Sequence, residues 1–301
     1  MDFWKMNGAG NDFIIINNMD ESIPSDEYSY LAKTLCERHL SIGADGMMFV
    51  EKPTDGGDFR MQFYNSDGSK GEMCGNGARC ICRYGYENGL SGAKSDIETT
   101  AGHVGGERIN ERLYKIRLND PSVIKPDQLL DVCGQQVKCA YVELGNPGIP
   151  HLVVLFEDVR QLLNDDEKNN HLETADRNRL FEIGANLRSH PALAKGANVN
   201  FIEILPDGNV FERTFERGVE DFTYACGTGT GSAGVVLFLK KLMSPEDMHF
   251  NMRGGELIIN INTDGDKVTD LFLTGPTNIV AKGEITDEKL SAGTVPTDNR
   301  R

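Results

Sequence analysis

The chain has 301 residues, is 39% hydrophobic with a single Trp, and carries a formal charge of −15 at neutral pH. That length and composition fit a soluble globular protein of one large domain or two, and the acidic balance, with no Lys/Arg block, argues against nucleic acid or an anionic membrane surface as a partner. Met1-Asp2-Phe3-Trp4-Lys5 shows no basic segment followed by an apolar run, and no stretch approaches the roughly 18 apolar residues of a membrane span, so a cytoplasmic location and no membrane partner are expected.

Along the chain, the turn Gly8-Ala9-Gly10 leads through Asn11-Asp12 into a buried strand over residues 13–16. Residues 25–40 place Tyr28, Leu31, Leu35, Cys36 and Leu40 at helical spacing, with a stop near Gly43. Strands are expected over 47–51 and 59–64, and Asn65-Ser66-Asp67-Gly68-Ser69 is a turn by composition. Then comes Glu72-Met73-Cys74-Gly75-Asn76-Gly77-Ala78-Arg79, a cysteine at the mouth of a Gly-rich turn, leading into a helix over 78–88. Strands over 95–100 and 113–118 follow, and Asn119-Asp120-Pro121 marks a boundary.

The second half offers strands over 140–144 and 151–156, a helix over 172–189, and strands over 198–204 and 210–216. The run Asn164-Asp165-Asp166-Glu167 reads as a solvated loop. A second cysteine motif, Tyr224-Ala225-Cys226-Gly227-Thr228-Gly229-Thr230-Gly231, precedes a helix over 231–242. Further strands are expected over 256–261, 271–273 and 278–285, and the Ser/Thr/Gly/Pro-rich tail over 287–301 is expected to be disordered. The order strand, polar turn, Cys-Gly-x-Gly, helix occurs twice, which is a degenerate internal repeat and predicts a pseudo-twofold arrangement with a cleft between its halves. Residues 1–119 with 273–286 would form one half, and 120–272 the other.

The two cysteines carry the chemistry. A helix start offers unpaired N–H groups and a partial positive charge, so it binds anions and eases thiol ionisation. Two such starts facing one cleft can hold a carboxylate between them and set a thiolate and a thiol on opposite faces of the adjacent carbon. The thiolate removes the α-hydrogen while the thiol delivers one, which points to a racemase or epimerase that needs neither metal nor pyridoxal phosphate. A lone Cys-Gly is more often a small buried hydrophobe than a reactive group; the pairing of two such motifs in parallel contexts is what favours function. Seven cysteines, an odd number widely spread, read as mostly free thiols; Cys80 and Cys82 read as packing residues, and Cys36, Cys133 and Cys139 as structural.

Among other polar residues, Asn11, Asn65 and Asn198 stand at strand-to-turn junctions, where capping their own backbone is the default role. Glu216-Arg217 offers an adjacent acid and base to the ammonium and carboxylate of an amino acid, or is a plain surface pair. His151 begins a very apolar run, as a structural histidine or as an aid to a thiol.

With Gly8-Ala9-Gly10-Asn11-Asp12-Phe13, the Asn65 turn leading to the Cys74 motif, Glu216-Arg217-Gly218-Val219, Ala225-Cys226-Gly227-Thr228-Gly229, Gly254-Gly255-Glu256-Leu257 and Leu273-Thr274-Gly275-Pro276 in order, the chain resembles the diaminopimelate epimerase family over about residues 1–285. The resemblance implies an α/β (α+β) fold of two pseudo-symmetric domains, each a curved mixed sheet around a central helix, with the active site between them. It implies cofactor-independent interconversion of LL- and meso-diaminopimelate, with Cys74 and Cys226 as the two bases and His151 and Glu216 tuning them. Gly75, Asn76, Gly227 and Thr228 would hold the reacting carboxylate, and Asn11, Asn65, Asn198, Glu216 and Arg217 would bind substrate polar groups. A homodimer is implied as well.

Where many members read Gly-Asn-Pro-His, this chain has Gly145-Asn146-Pro147-Gly148-Ile149-Pro150-His151, so either Ile149 or a displaced Asn146 stands at the matching place. There is also one residue more than in many relatives between Glu216 and Cys226, where Phe222 and Tyr224 enlarge the loop, and Gly46 stands where some members carry Gln. A racemase of another amino acid, such as histidine, using the same thiols is the first alternative; a non-catalytic amino-acid or anion-binding protein is the alternative of another class.

Overall fold

In a computed structural model, residues 1–71, 75–163, 171–286 and 288 are described. Cys74, the 164–167 acidic run and, apart from residue 288, the 287–301 tail lie outside the described residues.

In chain order the first half consists of β1 (Asp2–Gly8), β2 (Asn11–Asn17), α1 (Tyr28–Leu35), β3 (Gly46–Glu51), β4 (Phe59–Asn65), α2 (Gly75–Glu87), β5 (Lys94–Thr99), β6 (Gly102–Arg108) and β7 (Leu113–Leu118). Then follow β8 (Pro121–Val132), β9 (Gln135–Leu144), β10 (Ile149–Leu155), the single turn α3 (Phe156–Val159), α4 (Arg177–Arg188), β11 (Asn198–Ile204), β12 (Val210–Glu216) and β13 (Asp221–Phe222). Last come α5 (Gly227–Leu239), β14 (Met248–Met252), β15 (Gly255–Asp264), β16 (Lys267–Pro276) and β17 (Asn278–Glu284).

The repeat is a repeat of pairing. Strands β1 through β7 pair in the order and sense antiparallel, parallel, antiparallel, parallel, antiparallel, antiparallel. Strands β9, β10, β11, β12, β14, β15 and β16 pair in the same order and the same sense. Each half then receives its outer strand from the other's sequence neighbour: β8 follows β7 but pairs with β9, and β17 follows β16 but pairs with β1. The antiparallel pair β7·β16 joins the two halves into one curved, unclosed sheet.

Register fixes which residues correspond. Phe13 faces Gly46, and Gly46 faces Asn65; His151 faces Asn198, and the next residue, Val199, faces Phe215, the residue before Glu216. Phe13, Gly46 and Asn65 of the first half therefore stand where His151, Asn198 and Glu216 stand in the second.

Each half wraps its sheet around one helix. In α2 every described residue from Gly75 to Gly85 is buried, and in α5 almost the whole run from Gly227 to Leu237 is. Such enclosure explains the small residues: a Cβ on Gly231 would come 2.7 Å from Leu118 Cδ1, and one on Gly234 2.7 Å from Ile259 Cγ2. Each helical Gly costs about 0.5–1 kcal/mol relative to Ala, and close strand packing offsets it, with about 1.5–3 kcal/mol for each large apolar side chain fully buried. Phe13, Phe59, Ile81, Val236 and Leu273 belong to this core.

Several elements differ from the sequence reading. The expected Gly-rich turn after Cys226 does not exist, because α5 begins at Gly227 itself and ends at Leu239. α2 likewise starts at Gly75 rather than at residue 78. The first helix is shorter than 25–40: a 3-10 turn at Ser25–Glu27 leads into α1, and Leu40 is exposed beyond its end. The 172–189 helix begins at Arg177, capped by Asp176 accepting from the amides of Asn178 and Arg179. Strands β1, β6, β8 and β14 escaped the pattern, since β8 is largely exposed and β6 carries three glycines. Cys36, Cys80, Cys82 and Cys139 are buried, whereas Cys133 is exposed with φ +54° at the β8–β9 turn. Among the described residues no helix is long and apolar enough to cross a membrane.

Candidate active site

The amino ends of α2 and α5 meet. A Cβ on Gly227 would lie 3.8 Å from Gly75 Cα and 3.8 Å from Asn76 Oδ1, and Leu273 packs under both first residues. First-turn N–H groups of a helix have no intrahelical acceptor, so two sets of donors and two positive dipole ends converge here. Cys226 is the N-cap of α5, with extended backbone, and Cys74 immediately precedes Gly75 in the chain.

Cys226 Sγ lies 3.6 Å from Thr228 Oγ1, and Thr228 Oγ1 lies 3.0 Å from His151 Nε2. His151 is fully buried, and its Nδ1 is 3.2 Å from Asn200 Nδ2. Asn200 Nδ2 also donates to the Leu152 carbonyl at 3.0 Å, while Asn200 Oδ1 accepts from Thr214 Oγ1 at 3.0 Å. The amide therefore has one orientation, with its donor toward His151, so Nδ1 is an acceptor and Nε2 carries the proton toward Thr228. Thr228 accepts from the imidazole and has its own hydrogen free for the sulfur. Burial, with Arg217 adding, pushes His151 down to about 3, so it is a neutral donor rather than an imidazolium. Burial, followed by the nearby Glu216 carboxylate, pushes the partly exposed Cys226 thiol well up, against the hydrogen bond from Thr228.

A cavity of about 1060 Å³ opens between the halves, lined by Asn11, Phe63, Asn65, Glu216, Thr223 and Arg253 among others. Asn65 and Glu216, the corresponding last residues of β4 and β12, thus face one space from opposite sides. Burial, with Asp45 of the other half adding, pushes the Glu216 carboxyl up. Asn11 accepts from Asn76 Nδ2 at 2.6 Å and donates to Asp45 at 3.0 Å. Asn76 accepts from the buried Arg79 at 2.8 Å. Asp45 and Asp12 share Arg38, and Asp12 also pairs with Lys5 at 2.8 Å.

Of the residues singled out in the sequence, Asn11, Asn65 and Glu216 line the cavity, and Asn76 touches Asn11. Cys226, Thr228 and His151 form the hydrogen-bonded chain, and Gly75 and Gly227 stand where the helices meet. Asn198 is buried, donates to the Pro150 carbonyl and accepts from the Arg217 amide at 2.8 Å. The Arg217 guanidinium is turned to the Lys195 carbonyl at 2.9 Å rather than into the cavity. Asn146 is exposed in the loop before β10 and lines a separate cavity with Lys70 and Arg117, whereas Ile149 opens β10 opposite Leu144.

The sequence reading missed Asn200, Glu212, Thr214, Thr230 and Asp45. A signal existed: Asn198 and Asn200, then Glu212, Thr214 and Glu216, recur at the two-residue period of one strand face, in runs whose alternate residues are Val199 and Phe201 in the first and Phe211, Arg213 and Phe215 in the second.

A family model described as diaminopimelate epimerase matches residues 3–113 and 144–280. The chain is 37% identical over 301 residues to a diaminopimelate epimerase of Aquifex aeolicus (strain VF5), covering 96% of this chain and 99% of the relative. It is 34% identical over 292 residues to one from Hydrogenobaculum sp. (strain Y04AAS1), covering 94% and 98%. Among solved structures, the phenazine biosynthesis protein of the PhzF family from Bacillus anthracis superposes with a TM-score of 0.68 at 16% identity, over 95% of this chain and 98% of that one. A hydroxyproline epimerase from Agrobacterium vitis, with trans-4-hydroxy-L-proline bound, gives 0.67 at 18% identity, over 99% and 96%. These likenesses show the fold, and with the family match and the two relatives they make the conclusion direct: the chain belongs to the diaminopimelate epimerase family.

Proposed function

We propose that this protein is an isomerase that interconverts LL- and meso-diaminopimelate without a cofactor, using Cys74 and Cys226 as the two bases. One sulfur, as thiolate, takes the α-hydrogen; the other, as thiol, gives its hydrogen to the opposite face; the two exchange roles in the reverse direction. The observation that carries this reading is the convergence of two helix starts at Gly75 and Gly227, each directly preceded in the chain by a cysteine. Their free amides suit the reacting carboxylate, whose developing negative charge needs oriented donors in a water-poor site. Asn11, Asn65 and Glu216 serve the remaining polar groups of the substrate, Asn198 holds the Arg217 backbone beside them, and the Arg217 guanidinium joins them on leaving the Lys195 carbonyl. The expected partner is this small amino acid, in a homodimer working in the cytoplasm, where thiols stay reduced and no Cys74–Cys226 disulfide blocks the site.

The test is incubation of the reduced protein with LL-diaminopimelate in deuterated water, following α-hydrogen loss and configuration, with Cys74→Ala and Cys226→Ala in parallel. Deuterium uptake with inversion in the wild type, and inversion in neither variant, is expected. Turnover of another amino acid with none of diaminopimelate would overturn the substrate, and ligand binding without any exchange would overturn the enzyme. Light scattering reads the dimer.

A further inference from the structure

Behind Cys226 lies a buried polar cluster that the two-thiol chemistry does not use. Glu212, 2% exposed, has Oε2 2.7 Å from Thr230 Oγ1 and Oε1 3.4 Å from Thr214 Oγ1. Thr230 Oγ1 is also 3.0 Å from the Cys226 carbonyl. Thr214 continues to Asn200, His151 and Thr228. The cluster thus reaches Cys226 twice, at its backbone through Thr230 and at its sulfur through Thr228.

The first half of the molecule does without these groups. By register and helix position, Met61 stands for Glu212, Phe63 for Thr214, Met48 for Asn200, Phe13 for His151 and Ala78 for Thr230, and all five are buried. The glycines mark the same correspondence: a Cβ on Gly77 would strike Met48, and one on Gly229 would strike Asn200. Closing a sheet around its helix therefore needs no polar group at these places. Burying several costs free energy unless all are paired, and at these five corresponding places this chain does so in the second half only.

The hydrogens can be counted. Thr230 has one hydroxyl hydrogen and two acceptors within 3.0 Å, and the Thr214 hydrogen has its nearer acceptor in Asn200. The Cys226 carbonyl already accepts the Thr230 N–H at 2.9 Å, so it does not itself require the hydroxyl; a protonated Glu212, its O–H donating to Thr230 and Thr230 donating to that carbonyl, pairs every group with no charge buried. An ionised carboxylate would be left with one hydroxyl in an apolar site, at high desolvation cost. Burial accordingly pushes the Glu212 carboxyl up to about 8. The titratable groups facing it are Cys226 on α5, His151 on β10 through Asn200 of β11, and Glu216 at the end of β12; the buried residues of β14 are Met248, Phe250 and Met252. Among the described residues no Lys or Arg is ion-paired with Glu212.

We propose that Glu212, as the neutral carboxylic acid, and Thr230 are positioning residues for Cys226, holding its backbone at the N-cap so that the sulfur meets Thr228 and keeping negative charge away from the thiolate. This rests on the reading of Cys226 as one of the two bases. Glu212→Met and Thr230→Val remove the bonds with little change of volume, Met being what the first half carries; Glu212→Gln keeps donor and acceptor without the ability to ionise.

The experiment uses the full-length reduced protein and two readouts: kcat and KM for α-hydrogen exchange of diaminopimelate, and the pH dependence of Cys226 alkylation by iodoacetamide, followed by peptide mass. Glu212→Met and Thr230→Val are expected to lose about tenfold in kcat with KM within about twofold, and Glu212→Gln to stay within about threefold of wild type. Above pH 8 the wild-type carboxylate opposes the thiolate, so the alkylation curve of Glu212→Gln should rise earlier, by about half a pH unit. Wild-type kcat and alkylation in Glu212→Met and Thr230→Val would overturn the proposal, as would a Glu212→Gln variant as impaired as Glu212→Met with an unshifted curve. If Cys226→Ala is inactive while the Glu212 and Thr230 variants match wild type, only this proposal fails; if Cys226→Ala exchanges at full rate, the base reading fails with it. The alkylation arm needs no substrate and stands whatever the amino acid is.

Discussion

His151 Nε2 and Thr228 Oγ1 stand 3.0 Å apart, and the register of β10 with β11 puts His151 at the place Phe13 holds in the other half. The two halves share a fold but not a polarity around their helix starts. A neutral imidazole, with Nε2–H fixed by Asn200, is a donor to Thr228 and leaves the threonine hydrogen to the sulfur. Cys226 thus has a side-chain donor built for its anion, while burial and Glu216 disfavour that anion at rest. In the proposed reaction, a positively charged group of the substrate beside the sulfur would offset that cost.

Thr228→Val keeps the shape and removes the bridge. Hydrogen bonds to a charged partner contribute about 1.5–3 kcal/mol, so α-hydrogen exchange should fall about 10- to 100-fold, with Thr228→Ser restoring most of it. Measured exchange within twofold of wild type in Thr228→Val would show that the hydroxyl does not serve the sulfur.

His151 makes stability depend on acid. In the unfolded chain it takes a proton below its usual value of 6.5, whereas in the folded protein it stays neutral down to about 3. Stability is therefore intact above pH 6.5 and falls as pH drops from there toward 3, by roughly 1 kcal/mol per pH unit from this group. His151→Phe, the residue of the other half, should flatten that slope. Urea unfolding at pH 7, 6, 5 and 4 reads it, and equal slopes in the two proteins would refute the assignment.

Gly229→Ala and Gly77→Ala are corresponding substitutions with unequal consequences. The new Cβ would lie 2.1 Å from Asn200 Oδ1 in the first and 2.5 Å from Met48 Cε in the second. A methionine tip moves aside, but an amide held by three hydrogen bonds does not. Gly229→Ala should cost about 1–3 kcal/mol and most of the activity, and Gly77→Ala distinctly less. Denaturant midpoints and exchange rates measured together would contradict this if the two variants matched.

Asp45→Ala removes the acceptor that holds Asn11 and part of the anchor for Arg38. With Asn11 loosened, KM for the amino-acid substrate should rise about tenfold, a hydrogen bond's worth of positioning, while kcat changes little. Losing Asp45 also withdraws a negative charge from Glu216, which should shift the pH profile of KM toward lower pH. Unchanged KM with reduced kcat would assign Asp45 a different role.

Much of this was legible in the residues. The strands at Asn198–Ile204 and Val210–Glu216 fall where the residues place them, because each is bounded by polar turns and carries apolar residues at alternate positions, Val199 and Phe201 in one and Phe211 and Phe215 in the other. The twofold occurrence of Cys-Gly-x-Gly before a helix pointed to a repeat, and the pairing order of the strands shows one. Helix starts were misplaced because glycine is read locally as a turn. In α2 and α5 it answers a tertiary demand, since the enclosing strands leave no room for Cβ atoms. Strands β6 and β8 were unreadable for the opposite reason: exposed or Gly-rich segments acquire their conformation from the neighbours they pair with.

The sequence by itself determined the chemistry on offer: two cysteines at helix starts, polar residues at strand ends, an acidic chain with no Lys/Arg block. Those follow from side-chain identity and short-range spacing. Only the tertiary structure decided that β8 and β17 cross between the halves, that Asn65 and Glu216 face one cavity, and that His151 reaches Thr228 from 77 residues away in the chain. It decided also that the strand positions occupied by Phe13, Met48, Met61 and Phe63 behind one helix are occupied behind the other by the hydrogen-bonded His151, Asn200, Glu212 and Thr214. Contacts between residues remote in sequence depend on strand register and burial, and a difference of one residue in register would turn every one of these side chains to the other face of the sheet.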